Sequence, residues 1–487
     1  MKRPQNAYMT VLFVLCMTLL LSLCLALIEG VRLNGIKLEA ECVTDIALHS
    51  VMAEYHREML EQYNLFVIDS SYGKVECGVE NVEKRIEYYL DKNLNCDDVF
   101  LSDWLYRDFF KMNAEEVDVT EVSYITDGYG AVFRQCAIEA IKSDVGIGMF
   151  EQVLEWMETV EVNGLEHSDI AGQKELADAQ LEAWEGQVVE VQKDVWETVI
   201  IGNPTDDLEE KRRMGILKQV VEEENLSEAV FYPEDLIASR MSQGVTSEGK
   251  AWLQDIQNED NAMDALMERF LFGEYLLRYM GCFGAESPND VLQYQVEYLI
   301  AGQNNDIENL RRVANRICVI REAANSLYLL GSETKMKEIH LLAEVLCVLM
   351  LLPEIVPLME TVLLLGWAYA ESVYDVKTLL GGGSVPLIKD DSNWHFGLSA
   401  ALSGDWGVQE REEEGMSYID YLRLFILLED SQVLTLRALN MVEGDMRKCT
   451  GNNLFRLDGC IVALRTKVVY ESDYGYRYEV IGDKIYN

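Results

Sequence analysis

The stretch Met9–Ile28, MTVLFVLCMTLLLSLCLALI, decides how the rest of the chain is interpreted. It contains no charged residue, and as a helix it would be about 30 Å long, which is the thickness of a bilayer's hydrocarbon core. A single span must satisfy its backbone polar groups internally, so we expect a transmembrane helix. Because Lys2 and Arg3 precede it and Glu29 follows it, the charge rule for membrane proteins predicts that residues 1–8 are cytoplasmic and that the bulk is extracellular.

Three other interpretations of this stretch remain open. A cleaved signal peptide also begins with basic residues, and Cys24-Leu25-Ala26 resembles a cleavage site, but the apolar core exceeds the usual length of about 7–15 residues. A lipoprotein signal would need a small residue where Leu23 stands. A buried core helix is the third interpretation, and a uniformly apolar run at the N-terminus disfavours it.

The composition indicates a folded and strongly acidic protein. The 487 residues are 49% hydrophobic and carry a net charge of −43, with every acidic residue lying after Ile28. The length leaves room for two or three domains. Nucleic acid is a poor partner for this surface, because phosphate binding needs clustered Lys and Arg. The charge instead favours basic or cationic partners.

Residues 29–63 read as a continuation of the membrane helix into a long stalk. An apolar stripe with helical spacing runs along it through Ile36, Ala40, Val43, Ala47 and Val51. No proline occurs between Pro4 and Pro204, so nothing in the sequence forces a break before Tyr63.

Strand patterns occur near both ends of the chain. The first part of an α+β head is expected at 64–145, with strands at Leu65–Asp69 and Val117–Thr126. Residues 451–487 contain a terminal β-hairpin made of Arg456–Tyr470 and Tyr474–Ile485. We expect these segments to form one small mixed sheet.

The middle of the chain is expected to be mainly helical. Residues 146–205 read as an inserted helical hairpin or short coiled coil, and 206–450 as a helical body. The stretch His340–Ser372 is apolar enough to resemble a second span, but it contains the acids Glu344, Glu354, Glu360 and Glu371 and is broken by Pro353 and Pro357. Since a carboxylate at the bilayer centre costs about 2.5–3.5 kcal/mol, a buried hairpin is the favoured interpretation, although membrane association stays open.

Eleven cysteines are dispersed along the chain without a CxxC motif, so neither a zinc site nor a disulfide framework is indicated. Cys449 and Cys460 flank a Gly-Asn-Asn turn and could form a disulfide in an oxidising exterior.

The N-terminal 70 residues resemble the uncharacterised TadE/TadG-like proteins of Gram-positive bacteria. The matching residues are Thr10, Val11, Glu29, Arg32, Ala40, Glu41, Asp45, Ala47, Ser50, Val51, Ala53, Glu54, Tyr55, Leu60, Tyr63, Leu65, Phe66 and Asp69. The later segments Trp367–Ser372 (WAYAES) and Tyr418–Arg423 (YIDYLR) are also similar to that family.

The resemblance implies a structural or assembly role beside a tight-adherence (Flp-type) pilus apparatus. The expected partners are other pilus or secretion membrane proteins, or a second copy of the chain, bound through the N-terminal helix. The residues expected to serve membrane placement and helix packing are Glu29, Arg32, Glu41, Asp45, Glu54 and Tyr55.

Patterns of catalytic chemistry are weak. HExxH, GxSxG and GxxxxGK[ST] do not occur, and three Ser-x-x-Lys matches lack companion motifs. His49 and His56 stand seven apart on the expected stalk without a third metal ligand. We therefore expect no enzyme activity, cofactor or metal. An acidic surface protein that binds or senses a ligand is the alternative function, and a hydrolase with an unrecognised site is a third.

Overall fold

The computed structural model describes residues 5–94, 110–144, 146–192, 194–221, 226–244, 262–285, 290–404, 414–449 and 451–486. The first helices are α1 (Gln5–Met52), α2 (Arg57–Tyr63), α3 (Val79–Leu94), α4 (Asp127–Ile141), α5 (Ile147–Val162), α6 (Ile170–Glu182), α7 (Asp206–Met214), α8 (Ile216–Val220) and α9 (Ile237–Ser242). The others are α10 (Ala262–Tyr279), α11 (Gln295–Ala301), α12 (Asp306–Gly331), α13 (Glu333–Leu349), α14 (Val356–Leu380), α15 (Leu398–Ser403), α16 (Tyr418–Leu428) and α17 (Ser431–Lys448). The strands are β1 (Ile68–Asp69), β2 (Met112–Tyr124), β3 (Val188–Gln192), β4 (Val195–Thr198), β5 (Ser384–Val385), β6 (Met416–Ser417), β7 (Cys460–Ser472) and β8 (Arg477–Ile485).

The chain forms two compact units, each built from more than one segment. Unit 1 comprises Met1–Cys136, Arg240–Asn258 and Cys449–Asn487. Unit 2 comprises Ala137–Ser239 and Glu259–Lys448. The mainly helical α+β class is as expected, with one long apolar helix at the N-terminus.

Helix α1 ends at Met52, so the prediction of one helix continuing to Tyr63 was wrong. Residues 53–56 leave helical geometry, and His56 begins α2 by accepting a hydrogen bond from the Met59 N–H at its Nδ1 atom. The helical period of the sequence does not reveal this break, because the break accompanies tertiary contacts made by Glu54 and Tyr55. His49 therefore lies on α1, whereas His56 caps the start of α2.

The sheet of unit 1 is antiparallel throughout, which corrects the prediction of a mixed sheet. Strand β7 is central, pairing with β2 on one side and with β1 and β8 on the other. The observed strands are displaced by a few residues from those expected, and β2 begins five residues earlier, at Met112. Its pairing with β7 is interrupted by bulges near Glu115, Thr120 and Tyr124.

The predicted apolar stripe of α1 is confirmed, because all five of its residues are buried. They share one core with α3 and the sheet, which includes Val82, Ile86, Val468 and Tyr470. Burying one Val or Ile side chain stabilises a fold by about 1.5–3 kcal/mol. This half of α1 is thus part of the core of unit 1 and not an isolated stalk.

Unit 2 is mainly helical, but residues 188–198 form the hairpin β3–β4. The prediction of a helical hairpin or coiled coil throughout 146–205 was therefore wrong for this segment. Its valines, Val188, Val189, Val191 and Val195, are β-branched residues, which suit a strand as well as a short stretch of helix.

The apolar stretch 340–372 forms a helical hairpin of α13 and α14, as expected, but α13 is only partly buried, with Leu341, Val345, Val348 and Leu349 exposed. Pro353 begins a short 3₁₀ turn between the helices, and Pro357 lies in the first turn of α14, where a missing N–H costs little. Protein atoms bury most of α14. Within the described residues, α1 is the one helix whose length and composition would allow it to cross a membrane.

Candidate functional site

Glu29 and Arg32 of α1 contact the turn between β7 and β8. Both residues were expected to lie at the membrane boundary. The carboxylate of Glu29 accepts hydrogen bonds from Arg32 Nη1 at 3.1 Å and from the hydroxyl of Tyr476. The Arg32 guanidinium lies 4.2 Å from the centre of the Tyr474 ring. Both charges are therefore engaged within unit 1, where they fix the turn against the helix.

Glu41 and Asp45, about one turn apart on α1, face strand β8. Tyr478 donates a hydrogen bond to Glu41 at 3.1 Å, and Lys484 lies 2.7 Å from Asp45 Oδ1. This hydrogen bond with Lys484 lowers the pKa of Asp45 below its usual value. Both residues join α1 to the C-terminal strand.

Alternate residues of β8 and its flanks make the contacts with α1, because successive side chains of a strand point to opposite faces. Tyr476, Tyr478, Lys484 and Tyr486 all reach α1 or its last carbonyl, that of Met52. Gly482 lies in the same alternation where the helix approaches most closely.

Glu54 and Tyr55 lie in the turn after α1 and hold neighbouring elements. Glu54 forms an ion pair with Arg85 and accepts a hydrogen bond from the Tyr89 hydroxyl at 2.7 Å, both on α3. The Tyr55 ring meets that of Phe66 edge-on, with 5.2 Å between centroids. The six residues singled out by the resemblance therefore surround unit 1's core and do not converge on one site.

The disulfide considered between Cys449 and Cys460 is not formed, and both residues are thiols in the structure. Cys460 is buried at the start of β7, where its sulfur lies 3.7 Å from the Arg456 carbonyl oxygen.

Unit 2 contains a buried cluster of charged residues that sequence reasoning missed. Arg321 of α12 and Asp375 of α14 are both fully buried, and Arg321 Nε lies 2.9 Å from Asp375 Oδ2. Arg321 Nη1 also donates to the carbonyl oxygens of Pro386 and Leu387 at 2.7 and 2.8 Å. Burial opposes ionisation of Asp375, but the positive charges of Lys389 and Arg321 prevail and lower its pKa.

Lys389 is the second cation of this cluster, and its side chain is also fully buried. Its Nζ atom lies 2.6 Å from Asp375 Oδ1 and also donates to Glu371, one turn earlier on α14. Glu371 further accepts hydrogen bonds from the His395 backbone N–H at 3.0 Å and from its Nδ1 at 2.9 Å. Leaving His395 aside, two cations face two carboxylates, so the formal charges cancel.

The donor atoms of Glu371, Asp375 and His395 lie within 4.8 Å of one another, a spacing that could hold a metal ion. However, Lys389 Nζ contacts all three residues, with His395 Nδ1 at 3.4 Å. The lysine ammonium therefore already supplies the positive charge that a metal would bring. These residues fit an internal ion network better than a metal centre.

The cluster fastens the loop 386–396 onto α12 and α14. Removing one partner of a buried ion pair costs about 3–5 kcal/mol, because the other charge remains buried without compensation. The network therefore fixes how this loop packs within unit 2.

Both later segments noted for the resemblance supply buried polar residues of unit 2. Trp367–Ser372 contributes Glu371 and also Ser372, which accepts a hydrogen bond from Asn325 at 3.0 Å. Tyr418–Arg423 contributes Tyr418, whose hydroxyl donates to Glu297 at 2.6 Å, and Arg423, which pairs with Glu274. For the network of α14, the sequence signal was the pair of acids Glu371 and Asp375, which lie one turn apart within an otherwise apolar helix.

A model of a family of unknown function, DUF5702, matches residues 194–472, which is more than half of the chain. The match includes the whole charge network of unit 2 and the whole of β7. No curated protein and no solved structure matches the chain. The chain is a member of the DUF5702 family.

Proposed function

We propose that this protein is a membrane-anchored, extracytoplasmic component with a structural or assembly role in a pilus-type or secretion-type surface apparatus. In this role α1 inserts in the membrane with its N-terminus in the cytoplasm and packs against α1 of a second copy. The pilus setting rests on the resemblance of the N-terminal 70 residues.

The observation that carries the proposal is the division of α1 into two halves with different surroundings. Residues 8–28 are all exposed and almost entirely apolar, whereas the apolar stripe Ile36–Val51 forms one wall of unit 1's core. An exposed apolar helix of this length is stable in lipid, since its backbone is satisfied internally. Because α1 is one continuous helix, a movement of its membrane-spanning half would also move unit 1.

A second apolar stripe of α1 supports packing against another copy. Val31, Leu38 and Ile46 are 72%, 62% and 48% exposed, and Cys42, also exposed, lies between the last two. Their spacing of seven, four and four residues places them on one side of the helix, away from the sheet. The stripe continues the apolar surface of the span, so two helices could pack along both segments.

Oxidative crosslinking of the full-length protein in membranes tests this packing. In a Cys16→Ser/Cys24→Ser background, which removes the two exposed cysteines of the span, treatment with copper phenanthroline should give a covalent dimer through Cys42, and adding Cys42→Ser should abolish it. In the resulting triple-serine background, Leu38→Cys should restore the dimer. Lys37→Cys is the matched control, because Lys37 is exposed but faces Tyr478 on the β8 side.

A dimer that depends on Cys42 or on the cysteine at position 38 would support helix packing between copies. Absence of any adduct at these two positions, or equal crosslinking at position 37, would overturn it and favour the alternative of a surface binding protein that acts alone.

A further inference from the structure

Strand β2 forms one edge of the sheet in unit 1. Within the described residues it pairs only with β7. It is 13 residues long, and such an edge presents a row of backbone N–H and C=O groups to which another strand can bind.

Helix α3 runs beside this edge and presents one acidic face to it. Glu83, Glu87 and Asp91 follow at intervals of four residues and therefore lie on one side of the helix. Glu83 Oε1 accepts a hydrogen bond from the Val119 N–H at 3.0 Å. The backbone groups of Val119 thus point away from β7 and toward α3, and those of Val117, two residues earlier in the same regular stretch, share this orientation.

Beyond Glu83 the helix and the strand border a groove of about 230 Å³. Its walls are Glu87, Asp91 and Leu94 of α3 and Asn113–Val117 of β2. The groove therefore combines a strand edge with a parallel helical wall, which is the arrangement used when a domain binds an extended peptide by adding it to a sheet.

The groove is strongly acidic. Among the described residues that line it, Glu87, Asp91, Glu115 and Glu116 carry carboxylates and none carries a basic side chain. Glu115 is the extra residue of a bulge, and its carboxyl group hydrogen-bonds to that of Glu471 across the strands, which raises the pKa of Glu115. The negative charge of Glu471 also contributes to this shift, and a cation bound beside the two carboxyl groups would reduce the repulsion between them.

We propose that the groove between α3 and the edge of β2 binds an extended cationic peptide segment, which adds to the sheet alongside Asn113–Val117. The peptide backbone would bond to the outward groups of β2, and Lys or Arg side chains on one face would meet Glu87 and Asp91. This site is independent of the packing proposed for α1.

Titration of labelled peptides against the full-length protein in nanodiscs of zwitterionic lipid tests the site by fluorescence anisotropy. The probe is the capped peptide Lys-Thr-Lys-Thr-Lys-Thr-Lys. One control has Glu in place of Lys, and the other replaces every Thr by Pro, which keeps the charge but removes backbone donors needed for strand pairing.

The Glu87→Lys/Asp91→Lys variant should weaken binding of the Lys-Thr peptide at least tenfold, because both positions are exposed and lie in the groove. The matched control is Glu151→Lys/Glu155→Lys, an equal charge change at exposed positions of α5 in unit 2, which should leave binding within twofold. Hydrogen exchange should slow at residues 113–117 when the Lys-Thr peptide is bound.

Equal binding of the proline-containing peptide would overturn strand addition, and so would unchanged exchange at 113–117. Equal losses in both charge variants would overturn the location and show attraction to the acidic surface as a whole.

Discussion

Gly482 of β8 lies directly against Leu48 of α1. A Cβ atom added at Gly482 would come within 2.6 Å of Leu48 Cδ1 and 3.2 Å of Thr44 Cγ2. The missing side chain lets the helix approach the strand between the polar contacts at Tyr478 and Lys484. This approach packs the second half of α1 onto the sheet.

The substitution Gly482→Ala is expected to lower the free energy of unfolding of unit 1 by about 1–3 kcal/mol, because overpacking forces neighbours to move. Chemical denaturation of the full-length protein in detergent measures it. Gly30→Ala is the matched control, since no atom lies within 4 Å of its added Cβ, and it should be neutral or slightly stabilising. A stability for Gly482→Ala equal to that of the wild type would contradict the close packing.

The substitution Lys389→Met is expected to lower the free energy of unfolding of unit 2 by about 3–5 kcal/mol, because it leaves Glu371 and Asp375 buried with one cation, Arg321. Tryptophan fluorescence during denaturation is a suitable measurement, since Lys389 lies 5.7 Å from the Trp394 ring.

Lys337→Met is the control for this loss. Lys337 is 75% exposed, and its ion pair with the exposed Glu333 spans 3.6 Å, so its removal should cost less than about 0.5 kcal/mol. The double variant Lys389→Met/Glu371→Gln should recover part of the loss, because Arg321 and Asp375 then balance. No recovery would show that lost packing, and not charge, dominates the effect.

Glu297 of α11 should make unit 2 less stable as the pH rises. Burial raises its pKa to about 7, although Tyr418 and the Phe283 N–H donate hydrogen bonds to Oε1, and Oε2 has no hydrogen-bond partner within the described residues. The folded protein therefore keeps a proton that the unfolded chain releases near pH 4.5. Stability falls between about pH 4.5 and 7, by about 3 kcal/mol at 1.36 kcal/mol per pKa unit.

The uncharged variant Glu297→Gln should lack this loss. Thermal unfolding across pH 5 to 8 should show that the stability of the variant relative to the wild type increases as the pH rises. Most of this increase should be complete by pH 7. Parallel pH profiles for the two proteins would mean that Glu297 does not titrate as described.

Removal of residues 1–28 is expected to release the protein from the membrane without unfolding unit 1, because the core residues Ile36–Val51 are retained. Membrane fractionation and thermal unfolding measure the two effects. Removal of residues 1–52 is the comparison and should unfold unit 1, since it deletes one wall of the core. A 29–487 protein that stays in the membrane fraction would contradict anchoring by α1.

Much of unit 1 could be predicted from the sequence because its signals are local. The run Met9–Ile28 is uncharged and long enough to span a bilayer, the stripe Ile36–Val51 follows the helical period, and the terminal hairpin follows the period of two. The end of α1 could not be predicted, because Glu54 leaves the helix to pair with Arg85, 31 residues later. The strands at 188–198 were missed because short β-branched runs suit either structure.

The sequence by itself determined an acidic α+β protein with one long apolar N-terminal helix, since charge, apolar runs and periodicity are properties of neighbouring residues. Tertiary structure alone decided that Lys389 lies between Glu371 and Asp375, and that Glu83 meets the edge of β2. These pairs join residues from different elements. Their positions follow from how the elements pack, which no local spacing encodes.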